Sequence, residues 1–103
     1  MVITISDAIL TEFKERMHLD GSYEDNNLKR ILSASAEALI NACGDYDIET
    51  SETFKELVFE RSRYVYNDAL EYFNTNFLSE INSLGVKKAL EEIVLEGDTT
   101  ATV

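Results

Sequence analysis

The residues that could carry out chemistry are few and far apart in the chain. His18 is the only histidine and Cys43 the only cysteine, so a thiol nucleophile with a histidine base would need this one pair. Cys43 lies on the apolar arc of its predicted helix, where a free cysteine usually packs as a small hydrophobic side chain. A single cysteine also leaves no disulfide framework and no four-ligand zinc site. The pair therefore gives no support for catalysis.

One acidic segment has the spacing of a calcium loop over its first residues. It runs from Asp20 to Asp25. However, its glycine stands second instead of sixth, and the twelfth position is Ile31 instead of a bidentate glutamate. The chain also lacks phosphate-binding and nucleophile-elbow motifs. We therefore expect a turn and helix cap here, and we predict a protein that is not an enzyme, with no catalytic residue, cofactor or metal.

Two charged residues fall within an apolar arc of a long predicted helix. Arg61 and Asp68 are seven residues apart, which places them roughly 10 Å from each other along a helix axis. Two interpretations remain open at this point. The arginine stem packs while its head reaches solvent, or Arg61 and Asp68 belong to a buried or intersubunit polar network.

The long predicted helix, from Ser51 to Phe73, has two apolar arcs. At 100° per residue, its main arc is followed by a second arc roughly 120° further round, containing Phe59, Tyr66, Leu70 and Phe73. A helix that is apolar over most of its girth is buried by its own chain or by another. Because few other segments are available, we predict that a neighbouring copy covers the second arc. The predicted subunit interface is formed by Phe59, Arg63, Tyr66, Leu70 and Phe73.

The charge balance limits the possible partners. Twenty acidic against nine basic side chains give a net charge of −11, which argues against nucleic acid or an anionic membrane as a ligand. The cluster of arginines and aromatics from Arg61 to Tyr66 is therefore interpreted as core and interface instead of a nucleic-acid platform. No apolar run has the length of a membrane span, and a soluble, intracellular protein is expected.

The helical pattern predicts an all-α fold, a small bundle of three to five helices. A short N-terminal helix starts at a Ser6 cap, and a second helix runs from a Ser22 cap to Cys43, where Gly44 ends it. The Ser51–Phe73 helix follows, and one or two short helices lie between residues 77 and 95, with a change of phase at Gly85. The predicted domain is 1–96, followed by a flexible C-terminal tail, 97–103.

Much of the chain resembles a known family. The segments TISDAIL (4–10), FKERMHLD (13–20), DNNLKRIL (25–32) and FKELVFERSRYVYNDALEYF (54–73), followed by 76–77 and 81–84, look like the head-tail connectors, or head-completion neck adaptors, of siphophages that infect Gram-positive bacteria. The resemblance covers roughly residues 3–95.

The resemblance implies a structural virion protein. Such proteins form a homo-oligomeric ring, typically of twelve copies, that binds beneath the portal protein, extends the DNA tunnel and carries the next neck or tail-completion protein. DNA passes through the ring without specific binding. The C-terminal tail of the family docks into the portal, which here corresponds to Thr99, Thr100, Ala101, Thr102 and Val103. The expected location is the virion neck, with the host cytoplasm during assembly.

A second class of function also fits the composition. An acidic helical protein could imitate the phosphate charge of DNA, or act as a regulator, by binding a partner protein. The mass in solution separates these possibilities, because a mimic is expected to be a monomer or dimer, whereas an adaptor forms or enters a large ring.

Overall fold

The structure is a computed structural model that describes the backbone of residues 3–97 and the side chains of residues 3–93. Within this range it is all-helical and contains no strand, so the predicted fold class is confirmed. The elements are α1 (Asp7–Met17), α2 (Asp25–Cys43), α3 (Glu52–Tyr66), a 3₁₀ turn (Leu70–Tyr72), α4 (Phe73–Asn76) and α5 (Leu78–Gly97).

Serine hydroxyls cap two of the helices at their N-termini, as the sequence predicts. Ser6 Oγ accepts a hydrogen bond from the amide of Ile9, and Ser51 Oγ accepts one from the amide of Phe54, both at 3.2 Å. Each bond satisfies an amide that has no partner within its helix. The predicted Ser22 cap is wrong, because α2 begins three residues later, after Glu24, without a side-chain cap.

Two helices end in a left-handed residue that is not glycine. His18 has φ 58° and Asp68 has φ 57°. In both cases the amide of the left-handed residue and the amide of the next residue bond back to carbonyls of the last helical turn, which is the Schellman arrangement. The single histidine is therefore part of a helix cap, and α3 ends at Tyr66, short of the predicted end at Phe73.

The core lies between α1, α2 and α3, and the chain after α3 folds back to close it. The rings of Phe13 and Phe59 are 5.4 Å apart, while Phe73 packs edge-on to Tyr64 at 5.7 Å. The buried hydrophobic residues are Ile5, Ile9, Leu10, Phe13, Leu28, Leu32, Ala36, Leu39, Cys43, Ile48, Phe54, Leu57, Val58, Phe59, Phe73 and Leu84.

The C-terminal segment is one 20-residue helix, α5, and the predicted break at Gly85 does not occur. Gly85 lies where α5 meets the end of α2, and a Cβ placed on it would lie 3.7 Å from the carbonyl oxygen of Ala42. Tyr46 donates a hydrogen bond of 2.8 Å to the carbonyl of Leu84, and Lys88 Nζ lies 4.4 Å from the Tyr46 ring centroid. These contacts attach residues 84–88 of α5 to the loop that follows α2. The remainder of α5 continues beyond this attachment, which gives the molecule its elongated dimensions of 59 × 28 × 22 Å.

Candidate interaction surfaces

The exposed large hydrophobic side chains of the described residues fall into two groups. The first group, called the α5 stripe, has side chains 54–60% exposed on one helix: Leu78, Val86, Leu90 and Ile93. The second group, called the corner patch, consists of Tyr23, Leu70 and Tyr72, which are 40–89% exposed. Exposed apolar groups that cluster on one surface are typical of interaction sites, whereas single ones are ordinary.

Tyr23 of the corner patch and the projecting half of α5 lie at opposite ends of α2, whereas Tyr72 directly precedes Phe73, which lies beside Leu39 in the second half of that helix. Tyr66 donates a hydrogen bond of 2.9 Å to Glu24, which places the end of α3, and the turn after it, at the start of α2. Gly44 at the other end of α2 lies directly beneath Lys88 of α5. Since α2 has 19 residues, these two ends are about 28 Å apart.

Two of the five predicted interface residues are enclosed by their own chain. Phe59 and Phe73 are each 1% exposed, so the prediction that they face a neighbouring copy is wrong for these two side chains. The physical reason is the early end of α3: because the chain turns after Tyr66, Phe73 packs back onto Tyr64 instead of extending the second arc.

The other three predicted interface residues differ from one another. Arg63 is half-buried, stacks on the Tyr64 ring at 5.1 Å and bonds to Glu60 at 2.8 Å, so its charge is satisfied within the chain. Tyr66 is also half-buried, and its hydrogen bond to Glu24 raises the pKa of its phenol. Leu70 is exposed and belongs to the corner patch. Of the predicted set, Leu70 alone presents a largely exposed apolar side chain.

Arg61 and Asp68 do not form a buried network within one chain. Asp68 is exposed at the left-handed end of α3, so the prediction that it is buried is wrong. Arg61 is half-buried, and its Nη1 donates to Ser35 Oγ at 3.1 Å. Burial lowers the pKa of the Arg61 guanidinium, because removing a cation from water disfavours its charged form.

Arg61 lines a recess of about 340 Å³ between α2 and the N-terminal turns of α5. We call this recess the Arg61 pocket. Its wall is otherwise mostly apolar, with Leu39, Phe73 and Ile81 among its residues, and Asn74 supplies the second polar side chain. Leu78 lines both this pocket and the groove that follows the α5 stripe, so the two surfaces are continuous.

The α5 stripe lies on a helix segment with a low net charge, although the chain as a whole is strongly acidic. Between residues 78 and 93, α5 carries three acidic and two basic side chains: Glu80, Lys87, Lys88, Glu91 and Glu92. The other polar residues along its groove are uncharged, among them Thr75, Ser79, Asn82 and Ser83. A second acidic molecule therefore meets little net repulsion from the charges of this segment.

Leu70 is the only residue of the two apolar surfaces that the sequence predicted to be part of an interface. The other exposed residues of the corner patch and of the α5 stripe were not predicted as interaction sites. The signal for the stripe was present, since Leu78, Val86 and Leu90 are spaced at multiples of four residues, the helical repeat. The predicted interruption at Gly85 divided that pattern into two weak segments. The portal-docking residues predicted by the resemblance, 99–103, lie outside the described residues.

Comparison with known proteins gives no family assignment: no family model, curated protein or solved structure matches the chain. Among residues 3–97, no cluster of three or more histidine, cysteine, aspartate or glutamate side chains could hold a metal ion. No helix in that range is long and apolar enough to cross a membrane.

Proposed function

We propose that this protein is a structural adaptor of a virion neck, a head-tail connector whose copies form a ring beneath the portal. The ring extends the DNA tunnel and carries the next neck or tail protein. The observation that carries the proposal is the pair of exposed apolar surfaces, the corner patch and the α5 stripe, at different places on one small chain. This observation supports association between copies, and the sequence resemblance supports the phage context.

Two different exposed surfaces on one chain favour a head-to-tail contact over a symmetric dimer. A symmetric dimer uses the same surface on both copies, whereas a contact between unlike surfaces repeats from copy to copy and closes into a ring when its rotation allows. The α5 stripe suits such a contact because its side chains are more than half exposed from Leu78 to Ile93. The corner patch of the next copy is a suitable apolar counterpart.

The size of the stripe indicates a weak contact in free solution. Its four side chains are each a little over half exposed, so covering them contributes about 1 kcal/mol each, or about 4 kcal/mol in all. Association also costs roughly 4–15 kcal/mol in lost translational and rotational freedom, so this burial alone does not hold two copies together. The free protein is therefore expected to be largely monomeric, and a ring forms where a template holds neighbouring copies close together.

The net charge of −11 suits a tunnel for DNA. Acidic walls repel the phosphate backbone, so DNA can pass without adhering to the ring. This is a consequence that the proposal needs and not evidence for it, because acidic surfaces have many other uses.

The test is binding to heads that carry the portal and packaged DNA but lack this protein. Wild-type protein is expected to cosediment with such heads in a fixed number of copies per portal. The double variant Leu90→Ser/Ile93→Ser removes half of the α5 stripe and is expected to reduce binding strongly. Glu92→Gln, an exposed substitution on the same helix, serves as the matched control and should bind like the wild type. Folded wild-type protein that fails to join the heads would refute the proposal.

A further inference from the structure

The positive charge of Arg61 is not balanced by any acidic side chain of the described residues. Its guanidinium is half-buried and bonds to the neutral hydroxyl of Ser35. No ion pair between described residues includes Arg61, whereas Arg16, Lys55 and Arg63 each pair with glutamates. A guanidinium presents five donors in a planar fork, so one serine oxygen leaves most of them for another acceptor.

The position of the Arg61 pocket makes the unpaired charge of Arg61 relevant to the proposed contact between copies. Leu78 belongs both to the pocket and to the α5 stripe, so a molecule that covers the start of the stripe also covers the mouth of the pocket. Covering an unpaired charge is strongly unfavourable, because the guanidinium loses water and gains nothing. A partner that binds the stripe must therefore bring an acceptor, and a carboxylate is the group that fits the fork best.

The corner patch carries free carboxylates among its apolar side chains. Asp68 and Glu71 are exposed and alternate with Leu70 and Tyr72 along five residues. No hydrogen bond or ion pair found among the described residues uses either carboxylate. This region therefore presents apolar side chains that can cover the α5 stripe and carboxylates that can pair with Arg61 in the pocket.

We propose that the corner carboxylates of a second copy, Asp68 and Glu71, bind Arg61 in the pocket while Leu70 and Tyr72 of that copy cover the start of the α5 stripe. This inference depends on the head-to-tail contact of the proposed function and specifies its ion pair. In this contact Arg61 pairs with Asp68 of another copy and not with Asp68 of its own chain.

Other acidic residues beside exposed apolar side chains are less suitable. Glu24 follows the exposed Tyr23 but already accepts the hydroxyl of Tyr66. Glu80, Glu91 and Glu92 lie on α5 itself, so their use would require the α5 helices of two copies to face each other. A head-to-tail contact leaves the corner carboxylates as the acceptors.

The experiment measures self-association by sedimentation over a series of protein concentrations up to about 1 mM, because a weak contact forms measurably only at high concentration. Arg61→Met, which keeps the length and apolar packing of the stem, is expected to weaken association about 30-fold or more. Asp68→Asn/Glu71→Gln is expected to weaken it similarly. Arg63→Met is the matched control, because Arg63 pairs with Glu60 of its own chain, and it should associate like the wild type.

Exchanging the charges of Arg61 and of the corner carboxylates tests whether these groups pair directly between copies. Arg61→Glu alone and Asp68→Lys/Glu71→Lys alone are each expected to remain monomeric, whereas an equimolar mixture of the two should associate, since each contact then joins opposite charges. Should Arg61→Glu misfold, the two exposed corner substitutions still decide the question.

Three results would overturn the inference. They are association of Arg61→Met at the wild-type strength, association of Asp68→Asn/Glu71→Gln at that strength, and no recovery in a mixture of folded variants. The proposed function is judged separately, by head binding. Copies that associate through Arg61 but never join phage heads would support this contact and refute the connector.

Discussion

Replacing Gly44 by alanine should destabilise the protein, because this glycine has both an unusual backbone conformation and a close neighbour. Its φ of 102° and ψ of 179° lie in a region that is essentially reserved for glycine and costs other residues about 1–3 kcal/mol. A Cβ built on Gly44 would also lie 2.6 Å from Lys88 Cγ. Lys88 would have to move from its place over the Tyr46 ring, which loses a cation–π contact of about 0.5–1 kcal/mol. The expected loss is about 2–4 kcal/mol in the free energy of unfolding.

Gly85 on α5 provides a matched control, because its substitution by alanine is expected to raise the free energy of unfolding instead of lowering it. It lies inside α5 with helical geometry, and a Cβ there meets the Ala42 carbonyl oxygen at an ordinary 3.7 Å. Gly85→Ala is therefore expected to stabilise the fold by about 1 kcal/mol, the helix-propensity difference between the two residues. Lys88→Ala in the Gly44→Ala background removes the 2.6 Å contact with Cγ and leaves Cβ of residue 88 at 3.3 Å, so most of the remaining cost is that of the backbone conformation.

The measurement is equilibrium unfolding in urea, followed by far-UV circular dichroism, for the three variants and the wild type. A loss of about 2–4 kcal/mol is a large fraction of the stability of a small domain, so it is well above the error of the method. The reasoning is refuted if Gly44→Ala is neutral, or if Gly85→Ala destabilises the protein as much as Gly44→Ala does. Either result would mean that α5 does not lie against the end of α2 as described.

Three further substitutions test the assignment of buried and exposed residues. Phe73→Ala should lower the free energy of unfolding by about 3–5 kcal/mol, whereas Leu90→Ser should change it by less than about 0.5 kcal/mol, as measured by the same urea titration. Ser62→Ala should be neutral or stabilising by up to about 1 kcal/mol, since the Ser62 hydroxyl is buried without a hydrogen-bond partner and its removal leaves no group unsatisfied. The pKa of Tyr66 is raised, chiefly by the hydrogen bond that its neutral phenol donates to Glu24. The stabilisation from this bond should be full below about pH 10 and lost as the pH rises through the raised pKa. Tyr66→Phe should remove one late component from the tyrosinate absorbance titration, and an unchanged titration curve would contradict the assignment.

The helical class and several helix ends could be predicted from the sequence because they depend on local interactions. Ser6 and Ser51 cap their helices through a bond to the third residue along the chain, and that spacing is visible in the sequence. Gly44 marks the end of α2 for the same kind of reason, since a positive φ favours glycine. The burial of Cys43 also followed from local periodicity.

The end of α3 could not be predicted from apolar periodicity, which continues through Phe73. Asp68 ends the helix although it is neither glycine nor proline, because aspartate tolerates the left-handed conformation better than most residues with side chains. The return of Phe73 onto Tyr64 then depends on packing between segments. The break predicted at Gly85 was wrong for the opposite reason. Glycine weakens an isolated helix, but Gly85 lies within a helix that packs against α2, and the helix continues through it.

The two wrong predictions, that α3 extends to Phe73 and that the helix breaks at Gly85, both affect which apolar residues are exposed. A chain of this length has few segments with which to cover apolar residues, and the turn after α3 uses one of them to enclose Phe59 and Phe73. The N-terminal part of α5 is likewise used, since Leu84 is buried against the core. The opposite side of that helix then has no remaining segment of the described chain to cover it, and Val86 and Leu90 stay exposed. The sequence therefore predicted exposed apolar surface on α3, whereas the described chain buries Phe59 and Phe73 of that predicted helix and exposes Val86 and Leu90 of α5. Because the position of exposed apolar surface depends on which segment closes the core, the test of the proposed contact between copies has to be made on α5.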